Sequence, residues 1–273
     1  MKTILIATDF SAASRNASLY GAELAKALKA KIILCNAYTV PQPGGALNVS
    51  ISRYDIMTQT DKRLLDEADV LDPTKEMIEI ICDEGVAEDV IVNIANEKKV
   101  DFIVTGMKGS GNSLKKIFGS TVTSLIKISN IPVIVVPGKA AFSIPKIILY
   151  ATDMPPGADV EHIEQLKPIT DTFESKLYLV KVVKDEHELE FEQLHTPGRV
   201  KEELKKLNVS LQYPVDTDII HALDEFISEQ HVDILVMIPH KRDWLQRIFR
   251  KSETKEMIFH THVPVIVIPE IPI

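Results

Sequence analysis

Four short apolar blocks occur twice in this chain of 273 residues, in the same order and at similar spacing. Residues 2–9 (KTILIATD) match residues 146–153 (KIILYATD), and residues 31–34 (KIIL) match residues 176–179 (KLYL). Residues 101–104 (DFIV) match residues 233–236 (DILV), and residues 131–137 (IPVIVVP) match residues 263–269 (VPVIVIP). A repeat of this length is a duplicated domain, because a solenoid repeats at a far shorter period. The expected boundaries are 1–138 and 145–273, joined through residues 138–143 (GKAAFS).

Each block holds a short, continuous apolar run rich in Val, Ile and Leu, as expected for strands buried on both faces of a parallel sheet. Helical patterns lie between the runs. Ser11 can cap a helix whose Ala17, Tyr20, Leu24 and Leu28 share one stripe. Val90, Ile91, Ile94 and Ala95 make a second stripe, and Ile163, Leu166, Ile169 and Phe173 make one in the second half. Strand–helix alternation with right-handed crossovers predicts an α/β fold of two doubly wound, mainly parallel five-stranded sheet domains in tandem, Rossmann-like, with about four helices each. Residues 40–48, rich in Pro and Gly, read as a loop that could cover a cleft.

Charge narrows the function. The net charge is −8, which argues against nucleic acid or an anionic membrane as partner. Residues 1–138 hold 15 Lys and Arg against 16 Asp and Glu, whereas residues 139–273 hold 16 against 23. An anionic ligand is therefore easier to place in the first half. No stretch of about 18 apolar residues exists, so no membrane span is expected. The apolar part of the N-terminus is short for a signal peptide. Cys35 and Cys82 lie in apolar runs and read as buried, reduced thiols, and the expected location is the cytoplasm.

In open α/β sheets ligands sit beyond the carboxyl ends of the strands, where the strand order reverses. Asp9 ends the first apolar run, and residues 106–122 (GMKGSGNSLKKIFGSTV) follow the fourth. Glycines allow close backbone approach and supply N–H groups in a concave nest. Gly119-Ser120 opens the next helix, whose first N–H groups favour an anion. The loop is not a P-loop, since G-x-x-x-x-G-K-[ST] is absent, nor a dinucleotide fingerprint, which follows the first strand. Taken alone, the glycines could also mark a plain turn.

The spacing Gly106-x2-Gly109-x9-Gly119-Ser120 resembles the ATP-binding signature of the universal stress protein family, G-x2-G-x9-G-[S/T]. The ends of the first and last apolar runs resemble that family too, and the duplication resembles its tandem members. The resemblance implies the adenine-nucleotide alpha-hydrolase-like fold. It implies ATP with Mg, held by Asp9 at the nucleoside and by backbone at Val40 or a neighbour against adenine. Gly106, Met107, Gly109, Gly119, Ser120, Thr121 and Val122 would surround ribose and phosphates. Asp9 reads equally as a turn residue, and Lys108, Lys115 and Lys116 read best as solvated lysines. The family also pairs domains through the fifth strand, which implies pairing of residues 133–136 with residues 265–268 and leaves a homodimer open.

The second half departs from that pattern. Asp153 is kept, but residues 238–252 (IPHKRDWLQRIFRKS) contain no glycine, so this half is expected not to bind ATP. His240, Lys241, Arg242, Arg247, Arg250 and Lys251 read best as a solvated basic surface. His260 and His262 match no zinc spacing. No nucleophile–base pair can be placed on strand ends, so any ATP hydrolysis would be slow. The reading from sequence is a nucleotide-dependent stress-response switch. An interaction protein with a vestigial glycine loop is the alternative.

Overall fold

β1 (Thr3–Ala7) lies between two parallel neighbours, and the whole first unit is arranged around it. In this computed structural model the described residues are 2–40, 53–72, 77–107, 118–153, 160–238 and 262–269. The chain divides into two units, Met1–Phe142 and Ser143–Ile273.

In the first unit the strands are β1, β2 (Lys31–Tyr38), β3 (Ile78–Glu84), β4 (Phe102–Gly106) and β5 (Val133–Val136). Their order across the sheet is β3-β2-β1-β4-β5, and every pairing is parallel. The helices are α1 (Ala12–Leu28), α2 (Arg53–Leu71), α3 (Ala87–Glu97) and α4 (Ser120–Ile128). The chain steps outward from β1 to β3 and then returns to β4. Right-handed crossovers therefore put α1 and α2 on one face and α3 and α4 on the other. Packing of α1 on α2 and of α3 on α4 agrees with this. Ile4, Leu5 and Ile6 are fully enclosed as a result, as a strand covered on both faces must be.

The helix stripes read from sequence are the buried ones. Ser11 is the N-cap of α1 and accepts from Ser14 N–H, while Ala17, Tyr20, Leu24 and Leu28 face the sheet. Val90, Ile91, Ile94 and Ala95 do the same for α3.

The second unit repeats the topology, with β6 (Ile147–Ala151), β7 (Lys176–Val180), β8 (Val209–Gln212), β9 (Ile234–Met237) and β10 (Val265–Val267). Its order is β10-β9-β6-β7-β8, again all parallel. The stripe Ile163, Leu166, Ile169 and Phe173 is buried as expected, but it spans two helices, α5 (Val160–Glu164) and α6 (Lys167–Phe173). Pro168 explains the break. It has no N–H to give, and its ring would meet the carbonyl four residues back, at Glu164. The link is instead tight, with Leu166 N–H donating to Ile163 O at 3.0 Å. A second proline, Pro197, separates α7 (Glu186–His195) from α8 (Gly198–Lys206), where the first unit has the single helix α2. The acidic run at 184–190 is a solvated helix start, capped by Asp185. α9 (Ile219–Gln230) leads into β9. Among the described residues no helix is long and apolar enough to cross a membrane.

The duplication is also visible in the hydrogen bonds. Thr3 N–H donates to Asp101 Oδ2 at 2.7 Å, and Ile147 N–H donates to Asp233 Oδ2 at 2.9 Å. Each aspartate thereby ties the start of its unit's fourth strand to the start of its first. We expect Asp101→Ala to lower unfolding free energy by about 1–2 kcal/mol, since a half-buried backbone donor loses a charged acceptor. Urea denaturation of the variant beside the native protein measures it.

Candidate functional site

The strand order reverses between β1 and β4, so the crevice beyond their carboxyl ends is where a ligand can enter the first unit. Thr8, Asp9, Phe10 and Ser11 make the turn from β1 into α1. Thr8 N–H donates to Cys35 O at 2.9 Å, and Asn36 Nδ2 donates to Thr8 O at 2.7 Å. These bonds fix the turn against β2. Asp9 is exposed at the mouth, and its Oδ1 accepts from Ser11 N–H at 3.0 Å. At least one oxygen of this carboxylate therefore serves the turn. Phe10 takes a left-handed conformation, with φ of 62°, uncommon for a residue with a side chain.

Gly106 ends β4 beside this turn. A Cβ there would lie 2.8 Å from both the carbonyl carbon and oxygen of Ala13, in the first turn of α1. The close backbone approach that glycine allows at this position is thus to α1. Met107 N–H donates to Val136 O at 2.9 Å, and Gly119 N–H donates to Met107 O at 3.0 Å. The glycine-rich segment leaves from and returns to one bonded point at the strand ends. Gly109, Lys108, Lys115 and Lys116 lie outside the described residues, as do residues 41–48 and the cations between His240 and Lys251.

α4 starts at that point. Gly119 is its N-cap without a side-chain bond, and the first helical bond runs from Thr123 N–H to Gly119 O at 3.0 Å. The N–H groups of Ser120, Thr121 and Val122 precede it and have no partner within the helix. Ser120 and Thr121 are exposed, whereas the Val122 side chain is in the core, so only its backbone can serve a site. Val40 is half-buried two residues past β2, at the same end of the sheet.

A cluster behind the turn is not evident from any motif. Thr8 Oγ1 lies 3.2 Å from both Ser14 Oγ and Glu67 Oε2, and Ser18 Oγ donates to Glu67 Oε1 at 2.6 Å. Thr8, Ser14 and Ser18 are buried, and Glu67 comes from α2. The available signal was Ser14 and Ser18, four apart on the buried stripe of α1.

The cysteines are not alike. Cys35 is buried, and burial pushes its thiol up to about 12, with Cys82 and Asp83 adding to the effect. Cys82 is half-buried rather than enclosed, and desolvation followed by Asp61 pushes it to about 11. Cys35 pairs with Ile81, and Cys82 with Asn36, so the two side chains leave opposite faces of the sheet and are not placed to bridge. Both thiols are protonated at neutral pH.

In the second unit the corresponding strand ends line a cleft of about 160 Å³ that includes Thr152, Asp153, Val180 and Ile219. Lys181, also on its wall, is paired at 2.6 Å with Glu192, both largely enclosed. Near its α9 side, His221 Nδ1 lies 2.7 Å from Asp216 Oδ2. Among the described residues no group of three or more His, Cys, Asp or Glu could hold a metal.

Comparison with known proteins identifies the class. The family model described as the universal stress protein family matches residues 1–137. The chain belongs to the universal stress protein family. A universal stress protein of Synechocystis is 29% identical over 136 residues, covering 50% of this chain and 85% of its own length. The crystal structure of a universal stress protein from Archaeoglobus fulgidus covers 98% of both chains with a TM-score of 0.72 at 17% identity, a likeness of fold across both halves.

Two measurements follow from this geometry. Gly106→Ala is expected to cost about 1–3 kcal/mol of stability, as inserted core methyl groups do, whereas Ser120→Ala at the exposed helix start costs little; thermal melts of the two compare them. The Asp216 carboxyl is held below its ordinary 3.8 by the Asp218 N–H and then His221. Asp216 in turn holds the His221 imidazole above its ordinary 6.5. The stabilisation from charged His221 is complete below about 6.5 and is lost as pH rises through the higher folded value. The Asp216 share is present above its unfolded value and is lost as pH falls through the lower folded one. NMR titration of the His221 ring in the native chain, moved back toward 6.5 by Asp216→Asn, checks the pair.

Proposed function

We propose that the first unit binds ATP, with Mg, in the crevice between the turn after β1 and the start of α4. Occupancy there switches the conformation or assembly of a stress-response protein, while the second unit binds no nucleotide. The observation that carries this reading is the start of α4. Three successive N–H groups and the exposed Ser120 hydroxyl start α4, the helix after β4, which pairs with β1 at the switch point, and they follow a glycine spacing that resembles the family's ATP signature. Such a helix start favours phosphate by partial charge and by donors with no helical partner.

In this reading Ser120, Thr121, Val122 and the backbone of Gly119 hold phosphates. Gly106 and Met107 form the floor beneath them, and Gly109 is the further glycine that the signature assigns to the ligand. Asp9, exposed at the mouth, receives the nucleoside, and backbone at Val40 or its neighbour faces adenine. ATP supplies the charge and the binding energy of the switch. The chain's own residues orient it, and negligible turnover is expected. Residues 238–252, which follow the corresponding strand and hold no glycine, support a silent second half.

Calorimetric titration of the full chain with Mg-ATP tests the reading by stoichiometry. One site per chain is expected. Gly109→Val should abolish binding, and Ser120→Ala should weaken it roughly tenfold, the loss of one hydrogen bond to a charged group. Two sites would refute the silent second unit. No binding by protein free of co-purified nucleotide would leave an interaction protein as the remaining reading.

A further inference from the structure

A cavity of about 400 Å³ opens between α1 and α2, on the helical face of the first unit and away from the start of α4. Phe10, Leu19, Val70 and Leu71 form its apolar walls. Leu19 and Val70 are 51% and 70% exposed, a large apolar exposure for residues that face each other's helices. The size falls within the range of small-molecule pockets, about 300–1,000 Å³, and so does the pattern of apolar walls with a few polar groups.

The polar groups divide by their state. Glu67 at the floor is already engaged, accepting from Ser18 at 2.6 Å and lying 3.2 Å from the Thr8 hydroxyl. Arg15 on α1 and Arg63 on α2 also line the cavity, and among the described residues neither is in an ion pair. The Arg63 guanidinium carbon lies 3.9 Å from the centre of the Phe10 ring, a cation–π contact on the cavity wall. Phe10 reaches that place from its left-handed backbone. Asp66 stands exposed at the rim.

We propose that this cavity is a second ligand site, for a small amphipathic anion: an apolar body between Leu19, Val70 and Leu71, and a carboxylate received by Arg15 and Arg63. A planar carboxylate suits the guanidinium fork, and apolar walls around it strengthen the pairing. The site is built from residues other than those assigned to the nucleotide, so it stands apart from the proposed ATP binding.

Octanoate and the uncharged 1-octanol are the probes, titrated into the nucleotide-free full chain by calorimetry and by NMR of methyl groups. Saturable binding of one octanoate per chain is expected, with shifts concentrated at Leu19, Val70 and Leu71, and with 1-octanol much weaker. The double variant Arg15→Ala/Arg63→Ala should raise the octanoate Kd about tenfold or more, by loss of charge-assisted bonds. Val70→Glu, at an exposed position that folding tolerates, should weaken it by repulsion. The proposal is overturned if octanoate does not saturate, if it saturates without moving those methyls, if the double variant binds it as tightly as the native chain, or if 1-octanol binds as well. A chain that fails to bind ATP but binds octanoate in this way leaves the second site intact.

Discussion

β1 pairs in parallel with β2 on one side and with β4 on the other, and the properties of the first unit follow from that position. A strand with parallel neighbours on both sides must be reached by crossovers over both faces, so it is covered above and below. Its carboxyl end then points at a place where chains leave in opposite directions. The turn after β1 and the segment after β4 meet there because the sheet brings their strands together in register, Ile6 beside Val104. The contact is close enough that Gly106 has no room for a side chain against α1. Fold and site share this contact, and a change at Gly106 acts first on packing.

The buried hydroxyls behind the turn connect this end of the sheet to α2. The Thr8 and Ser18 hydroxyls each give one oxygen of the Glu67 carboxylate, which would otherwise be costly to desolvate, a partner, with Ser14 behind Thr8. One side of this cluster supports the loop carrying Asp9, and the other forms the floor of the cavity between α1 and α2. The two regions are therefore in mechanical contact through a few short bonds. The second unit keeps the backbone pattern, with Thr152 N–H donating to Val180 O as Thr8 N–H donates to Cys35 O. It places the enclosed pair Lys181–Glu192 beside its cleft, so duplication preserved the sheet and changed what surrounds the strand ends.

Much of this was legible in the sequence. The repeated runs marked eight of the ten strands, because parallel strands buried on both faces must be apolar along their whole length; no repeated run marked β3 or β8, which are only partly buried along their length. Ser11 announced α1, and the stripes of α1 and α3 announced their buried faces, because a helix has one period and one core to face. The same stripe logic joined α5 to α6, since periodicity does not register a missing N–H, although Pro168 was there to be weighed. Asp9, Gly106, Gly119 and Ser120 could be placed at strand ends and a helix start from order alone.

The sequence by itself thus determined the class of fold, the duplication, and which segments end at the crevice, because these depend on local pattern and on chain order. Only the tertiary structure decided what those residues touch. It gave Gly106 to α1, one oxygen of Asp9 to its own turn, and the Val122 side chain to the core. It set Cys35 and Cys82 on opposite faces through strand register, and it joined Thr8 to Glu67 across 59 positions of chain. Contacts of that kind depend on register, helix rotation and side-chain reach across elements, and no periodicity within a single segment encodes them.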